Sequence, residues 1–286
     1  MKILKYFFEF LFIIFIFFIF KIIGYKYSSN LGEIIGKKIG PYFRSNEKIK
    51  NNLISSDVDR HPENVNKIIN NMWGNYGRIL SEYLYLKQFR NNNLNSFLNI
   101  EGQEHLKKIK NNNEPVVFIS GHFNNFELMA MEIEKSGINL AAIYRPLNNP
   151  FLNIIMENIR KKYICKYQIK KGKSGTRELL EFFKKNFSIA LMIDQRVSEG
   201  ISVNFFNRPA KTTTIPAQLV KKYRCKVVPV YIERINKHHF KLSFQNPISF
   251  EKNNTIEEIT KKLNNTLEIM ILKNPDQWIW SHDRWK

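Results

Sequence analysis

His122 and Glu127 are the residues in this sequence best placed to do acid–base chemistry, and their setting says so more than their types do. They follow Pro115-Val-Val-Phe-Ile-Ser-Gly121, which reads as a buried strand passing through a glycine into a helix. In open α/β sheets ligands bind beyond the carboxyl ends of the strands, so His122 falls where a site is expected. Five positions apart, the two side chains would lie roughly 140° around an ideal helix and diverge. With His122 in the turn and the helix starting near Asn124, however, a first-turn Glu127 can reach back to the imidazole. There it would orient the ring, fix its tautomer and stabilise the imidazolium formed when His122 takes a proton from a substrate hydroxyl. The competing reading is a core histidine beside a glutamate favoured by the helix macrodipole, and for an isolated HxxxxE that reading prevails. His61, His105, His238 and His239 lie in polar stretches without a comparable setting.

Other residues fall near the same place. Arg145 follows the apolar run Leu140 to Tyr144 and could hold a phosphate or a developing oxyanion, or equally form a surface salt bridge. Asp194 and Gln195 follow Ile189 to Ile193, which puts them on the same sheet edge as His122, as site-lining residues or with Asp194 in a structural role. Arg177, at the start of a helix, is a further anion-binding candidate with a structural alternative of equal weight. His282 stands among Trp278, Trp280 and Trp285, in what reads as an interfacial or core cluster rather than a second base. Cys165 and Cys225 have no CxxC or Cys/His spacing, so they read as reduced thiols; neither a metal site nor a bound cofactor is expected.

The elements that must position these residues alternate in type. Short apolar runs at Val116 to Ser120, Leu140 to Tyr144, Ile189 to Ile193 and Val227 to Ile232 are separated by helical patterns around Phe126 to Lys135, Phe151 to Lys162, Gly175 to Lys185 and Ile215 to Tyr223. That alternation predicts an α/β fold with a largely parallel, buried sheet. Ile256 to Leu272 reads as a closing helix before Pro275. Between about Asn64 and Leu86 apolar residues recur at three and four, the pattern of an amphipathic helix on which Arg78 and Glu82 read as a surface i,i+4 pair.

Tyr6 to Ile23 is almost wholly apolar, and as a helix its 18 residues would reach roughly 27 Å, barely the hydrocarbon thickness. It reads as a membrane anchor, spanning or deeply embedded. A signal peptide is the main rival, but no small-x-small cleavage site follows. Lys21, Lys26, Lys37 and Lys38 after the run outnumber Lys2 and Lys5 before it, which predicts that the following domain faces the cytoplasm. The expected division is therefore an anchor at 1–24 and a single catalytic domain at 25–286. The formal net charge of +20 calls for anionic partners, and its spread along the chain as lysine pairs favours a broad membrane-facing field over nucleic-acid binding.

Five segments, in this order, resemble the bacterial lipid A late acyltransferases of lauroyl/myristoyl type: Gly121-His-Phe-Asn-Asn-Phe-Glu127, Tyr144-Arg-Pro-Leu-Asn-Asn-Pro150, Asp194-Gln-Arg196, Phe205-Phe-Asn-Arg-Pro-Ala-Lys-Thr212 and Pro275-Asp-Gln-Trp-Ile-Trp-Ser-His-Asp-Arg-Trp-Lys286. With Met72-Trp-Gly-Asn-Tyr-Gly-Arg78 and the N-terminal anchor, the likeness covers nearly the whole chain. The resemblance implies a glycerolipid-acyltransferase fold at the bacterial inner membrane. It implies transfer of an acyl chain from acyl carrier protein to a hydroxyl of a lipid A precursor, with His122 and Glu127 in the family's Hxxxx(D/E) motif. Asn124, Phe126 and Asn207 depart from the residues usual in the family, which leaves the pair intact but bears on specificity. HxxxxE specifies the chemistry and not the acceptor, so a lysophospholipid, glycolipid or aminolipid acceptor is the alternative within enzymes. A membrane-tethered basic scaffold is the alternative outside them.

Overall fold

The computed structural model describes residues 2–59 and 61–286. Helices come first: α1 (Lys2–Ile23), α2 (Tyr25–Phe43), α3 (Asn46–Ser55), α4 (Pro62–Glu82) and the short α5 (Leu86–Arg90). Strands and helices then alternate as β1 (Leu98–Glu101), α6 (Gln103–Asn112), β2 (Val117–Ser120), α7 (Glu127–Lys135), β3 (Leu140–Tyr144), α8 (Pro150–Ile159), β4 (Tyr167–Lys170), α9 (Lys173–Lys184) and β5 (Ser188–Met192). The hairpin of β6 (Ile201–Phe205) and β7 (Arg208–Thr212) precedes α10 (Ile215–Tyr223), β8 (Val227–Asn236), β9 (His239–Phe244) and α11 (Ile256–Lys273).

Among the described residues the main sheet has seven strands in the order β1-β9-β8-β2-β5-β3-β4. Every neighbour is parallel except the antiparallel β8–β9 pair. This is the mainly parallel, helix-flanked sheet that the sequence predicts, and the four apolar runs become β2, β3, β5 and β8. β2 is buried at all four positions, as a strand covered on both faces must be. β1, β6, β7 and β9 alternate between more and less exposed positions and so lack a continuous apolar run. The β2–β5 register decides the site, because it aligns Ser120 with Met192 at the carboxyl ends of the two strands. The residues two further on, His122 and Asp194, therefore leave the sheet side by side.

Before the sheet, α2 and α4 pack with almost no space between their backbones. A Cβ built on Gly77 would lie 1.8 Å from the Gly32 carbonyl oxygen, and one on Gly36 would lie 2.2 Å from that of Trp73. Only glycines permit so close an approach. It also changes the expected Arg78–Glu82 surface pair, because that face of α4 is the packed one. Both residues are buried, and each turns to another element: Arg78 to Ser29, Asn30 and Glu33 of α2, and Glu82 to Arg234 of β8 at 2.7 and 3.0 Å. A charge taken out of water needs a partner, and helix packing moved the partners.

Candidate active site

The turn after β2 is built from short backbone bonds and side-chain ties. The Phe123 N–H donates to the Gly121 carbonyl at 2.8 Å, and that of Phe126 to the Asn124 carbonyl at 2.9 Å. Asn124 takes a φ of +40°, a left-handed conformation that asparagine tolerates better than most residues. Its buried amide donates to the Ile232 carbonyl at 3.2 Å and to Oε1 of Gln277 at 2.6 Å. Asn125 donates to Glu82 at 3.4 Å, which ties the turn to the buried Glu82–Arg234 pair. A Cβ on Gly121 would meet the Phe123 ring at 3.0 Å and Oδ2 of Asp194 at 3.3 Å, so the turn lies close against Asp194.

Asp194 is the carboxylate against the His122 ring. Nδ1 of His122 lies 2.8 Å from Oδ1, and the His122 backbone N–H donates to Oδ2, also at 2.8 Å. The indole N–H of Trp278 donates to the same Oδ2 at 2.9 Å. Burial alone would push the Asp194 carboxyl up, but the His122 ring, the His122 backbone N–H and the Trp278 indole outweigh it and hold the pKa at about 2. An ionised carboxylate only accepts, so the hydrogen of a neutral imidazole sits on Nδ1 and the lone pair on Nε2. The His122 side chain keeps 24% of its surface exposed, whereas that of Asp194 has none. The Phe126 ring packs edge-on against the imidazole at 5.0 Å between centroids.

Glu127 is engaged elsewhere, which corrects the expected contact between it and the imidazole. Residues 121–126 are used in the turn, α7 begins only at Glu127, and the carboxylate meets Tyr83 and Arg160. Arg160 donates through Nε to Oε1 of Glu127 at 2.8 Å and to the Tyr83 hydroxyl at 3.1 Å. Its guanidinium also lies 5.7 Å from the Tyr144 ring centre. Burial works against the charge on Arg160, yet Glu127 and Tyr83 more than offset it and raise its pKa. Burial, reinforced by Glu127, raises that of Tyr83.

The remaining candidates are dispersed. Arg145 is exposed just beyond β3, Gln195 is half-buried beside Asp194, and Arg177 is exposed on α9. His282 is half-buried with Nδ1 unpartnered; burial pushes its pKa down, while Asp194 pulls the other way. Sequence reasoning missed the roles of Trp278 and Arg160. Arg160 had one available signal, a cation directly after the helical pattern Phe151 to Ile159. Nothing in the spacing of Trp278, far from Asp194 along the chain, announces their contact.

The full chain, residues 1–286, matches the family model for bacterial lipid A biosynthesis acyltransferase. It is similar to lipid A biosynthesis acyltransferase 2 of Shigella flexneri, at 23% identity over 187 residues, covering 63% of this chain and 58% of that protein. It is also similar to lipid A biosynthesis myristoyltransferase of Escherichia coli (strain K12), at 22% over 183 residues, covering 63% and 56%. The likeness thus spans a little over half the length of these relatives. A histidine paired with a buried carboxylate at the edge of a mainly parallel sheet and a match over all 286 residues converge: the chain belongs to the bacterial lipid A biosynthesis acyltransferase family.

Proposed function

We propose that this chain transfers a fatty acyl group from the thioester of acyl carrier protein to a hydroxyl of a lipid A precursor, with His122 as general base and Asp194 as the carboxylate that orients it. The observation that carries the reading is the 2.8 Å contact between Nδ1 of His122 and Oδ1 of Asp194 at the carboxyl ends of two adjacent parallel strands. With Nδ1 engaged, Nε2 takes the hydroxyl proton as the oxygen attacks the thioester carbonyl carbon. The C–O bond forms, the tetrahedral intermediate expels the thiolate as the C–S bond breaks, and the imidazolium returns its proton to the sulfur. Asp194 keeps its charge and stabilises the imidazolium between the two transfers.

In this reading Glu127 acts one step removed, holding Arg160 beside the turn that carries His122. Arg145, Arg177 and Gln195 are offered as contacts for the anionic acceptor. Residues 25–286 act as one catalytic unit at the inner membrane, facing the cytoplasm, and need neither cofactor nor metal. The net charge of +20 suits both an acidic carrier protein and an anionic membrane, and no nucleic acid enters. Two measurements test the proposal. With purified protein, acyl carrier thioester and a lipid A precursor, His122→Ala should stay folded yet transfer roughly a hundredfold less or worse; near-normal transfer would remove the mechanism. Mass spectrometry of lipid A from cells with and without the gene should show a missing acyl chain, and unchanged lipid A would remove the acceptor.

A further inference from the structure

Helix α1 is long and apolar enough to cross a bilayer, yet it is not a free-standing rod. Tyr6, Phe10, Ile13, Phe17 and Phe20 are half-buried or buried, whereas Leu4, Phe8, Leu11, Phe15, Phe18 and Ile22 are exposed. That is a burial stripe of helical period along most of the element, and a helix surrounded by lipid would have none. The body holds α1 near both ends. Asn149 donates to the Tyr6 carbonyl at 2.8 Å, and the Tyr85 hydroxyl to the Phe20 carbonyl at 2.6 Å. Phe7 and Phe10 pack on Phe151 of α8, with centroids 5.7 and 5.8 Å away.

The neighbour is itself unusual. Helix α8 is rich in Phe, Leu, Ile and Met but has no buried residue, and its Ile154 is 61% exposed. It leaves the sheet from the carboxyl end of β3, the edge that also carries His122 and Asp194. The helix pair meets through Phe7, Phe10 and Phe151, and it leaves apolar residues exposed on both members, with Lys5 and Lys21 exposed towards the two ends of α1 and Arg145, Lys161 and Lys162 exposed around α8. If α1 crossed a bilayer upright, the body fixed along it would be drawn into hydrocarbon with it. That would include the polar loop 145–149 beside Tyr6, whose backbone groups and arginine have no favourable place there.

We propose that α1 does not cross the membrane but lies within one leaflet, and that α1 and α8 together form a lobe inserted into an anionic lipid surface. Their outer residues reach the acyl region and the flanking lysines the headgroups. The site edge thereby meets the layer from which a lipid acceptor comes, which is the one point where the inference rests on the proposed function. Its geometry stands apart from that reading.

The test uses the full-length protein in closed vesicles of phosphatidylethanolamine and phosphatidylglycerol, with single cysteines introduced as Ile3→Cys, Ile154→Cys and Ile269→Cys. Ile269 is an exposed apolar residue of α11, and the native Cys165 and Cys225 are buried. Labelling of residue 3 with a membrane-impermeant maleimide is expected from the same side as residue 269; labelling of residue 3 only from the opposite side would overturn the in-plane helix. A fluorophore at residue 154 is expected to lose intensity with nitroxide-bearing lipids while one at 269 does not. Equal insensitivity at both would overturn the α8 contact. His122→Ala should leave every one of these readings unchanged, so loss of transfer and failure of the topology are separate outcomes.

Discussion

Asp194→Asn removes a charge from the Nδ1 side of His122 while keeping the shape, and can turn an amide N–H towards the ring, favouring the tautomer that blocks Nε2. Transfer should fall roughly a thousandfold or more with the fold intact, read as kcat in the purified assay. Trp278→Phe should cost less, because the His122 backbone N–H still holds Oδ2, but with one donor lost the Asp194 pKa should rise, and the fall of melting temperature in acid should begin at higher pH. Glu127→Ala belongs to another class. It strands the Arg160 guanidinium among buried groups, so it should lower stability by about 3–5 kcal/mol in a thermal or urea melt as well as lowering transfer, whereas His122→Ala should barely move the melt. Asp194 also links stability to acid. Its carboxyl titrates at about 2 when folded against an ordinary 3.8, so its contribution is fully present above about pH 4 and disappears as pH falls towards 2, seen as a falling melting temperature across that window. His122 and Asp194 are legible in the sequence because both end apolar strand runs. The exchange of Glu127 for Asp194 at the ring is not, since it depends on where α7 begins, and the left-handed turn at Asn124 delays that start to Glu127 itself.

Among the elements, the α2–α4 pair makes the sharpest demand on sequence. Gly77→Val would drive a side chain into the Gly32 carbonyl and should destabilise by about 3 kcal/mol or more, because backbone against backbone cannot relax as a side chain can. Far-ultraviolet circular dichroism during urea unfolding would report it, and a change of less than half that size would contradict the packing. Gly24, at φ +81° with nothing within 4 Å of a built Cβ, is a useful comparison: substitution there meets backbone strain alone. The helices of the α/β portion follow from their periodicity, as with α10 at Ile215–Tyr223, where expectation and structure coincide. α2 is harder to read. Its glycines lower helix propensity, and their purpose is visible only once α4 lies against them.

For the molecule as a whole, the sequence shows which residues are apolar but not which of them are covered. The N-terminal run is evident from composition, yet the stripe that docks it on α8 and Tyr85 depends on contacts between residues far apart in the chain. The same holds for the tail after α11. Gln277 grips Asn124, Trp278 grips Asp194, and Arg284 donates to the Lys211 carbonyl and the Thr212 hydroxyl beneath the hairpin. Synthesis runs from α1 towards residue 278, so a growing chain presents its apolar helix before the indole that donates to Asp194 has been made. A nascent chain can therefore meet a lipid surface before the ties from Gln277 and Trp278 to the turn at His122 have formed.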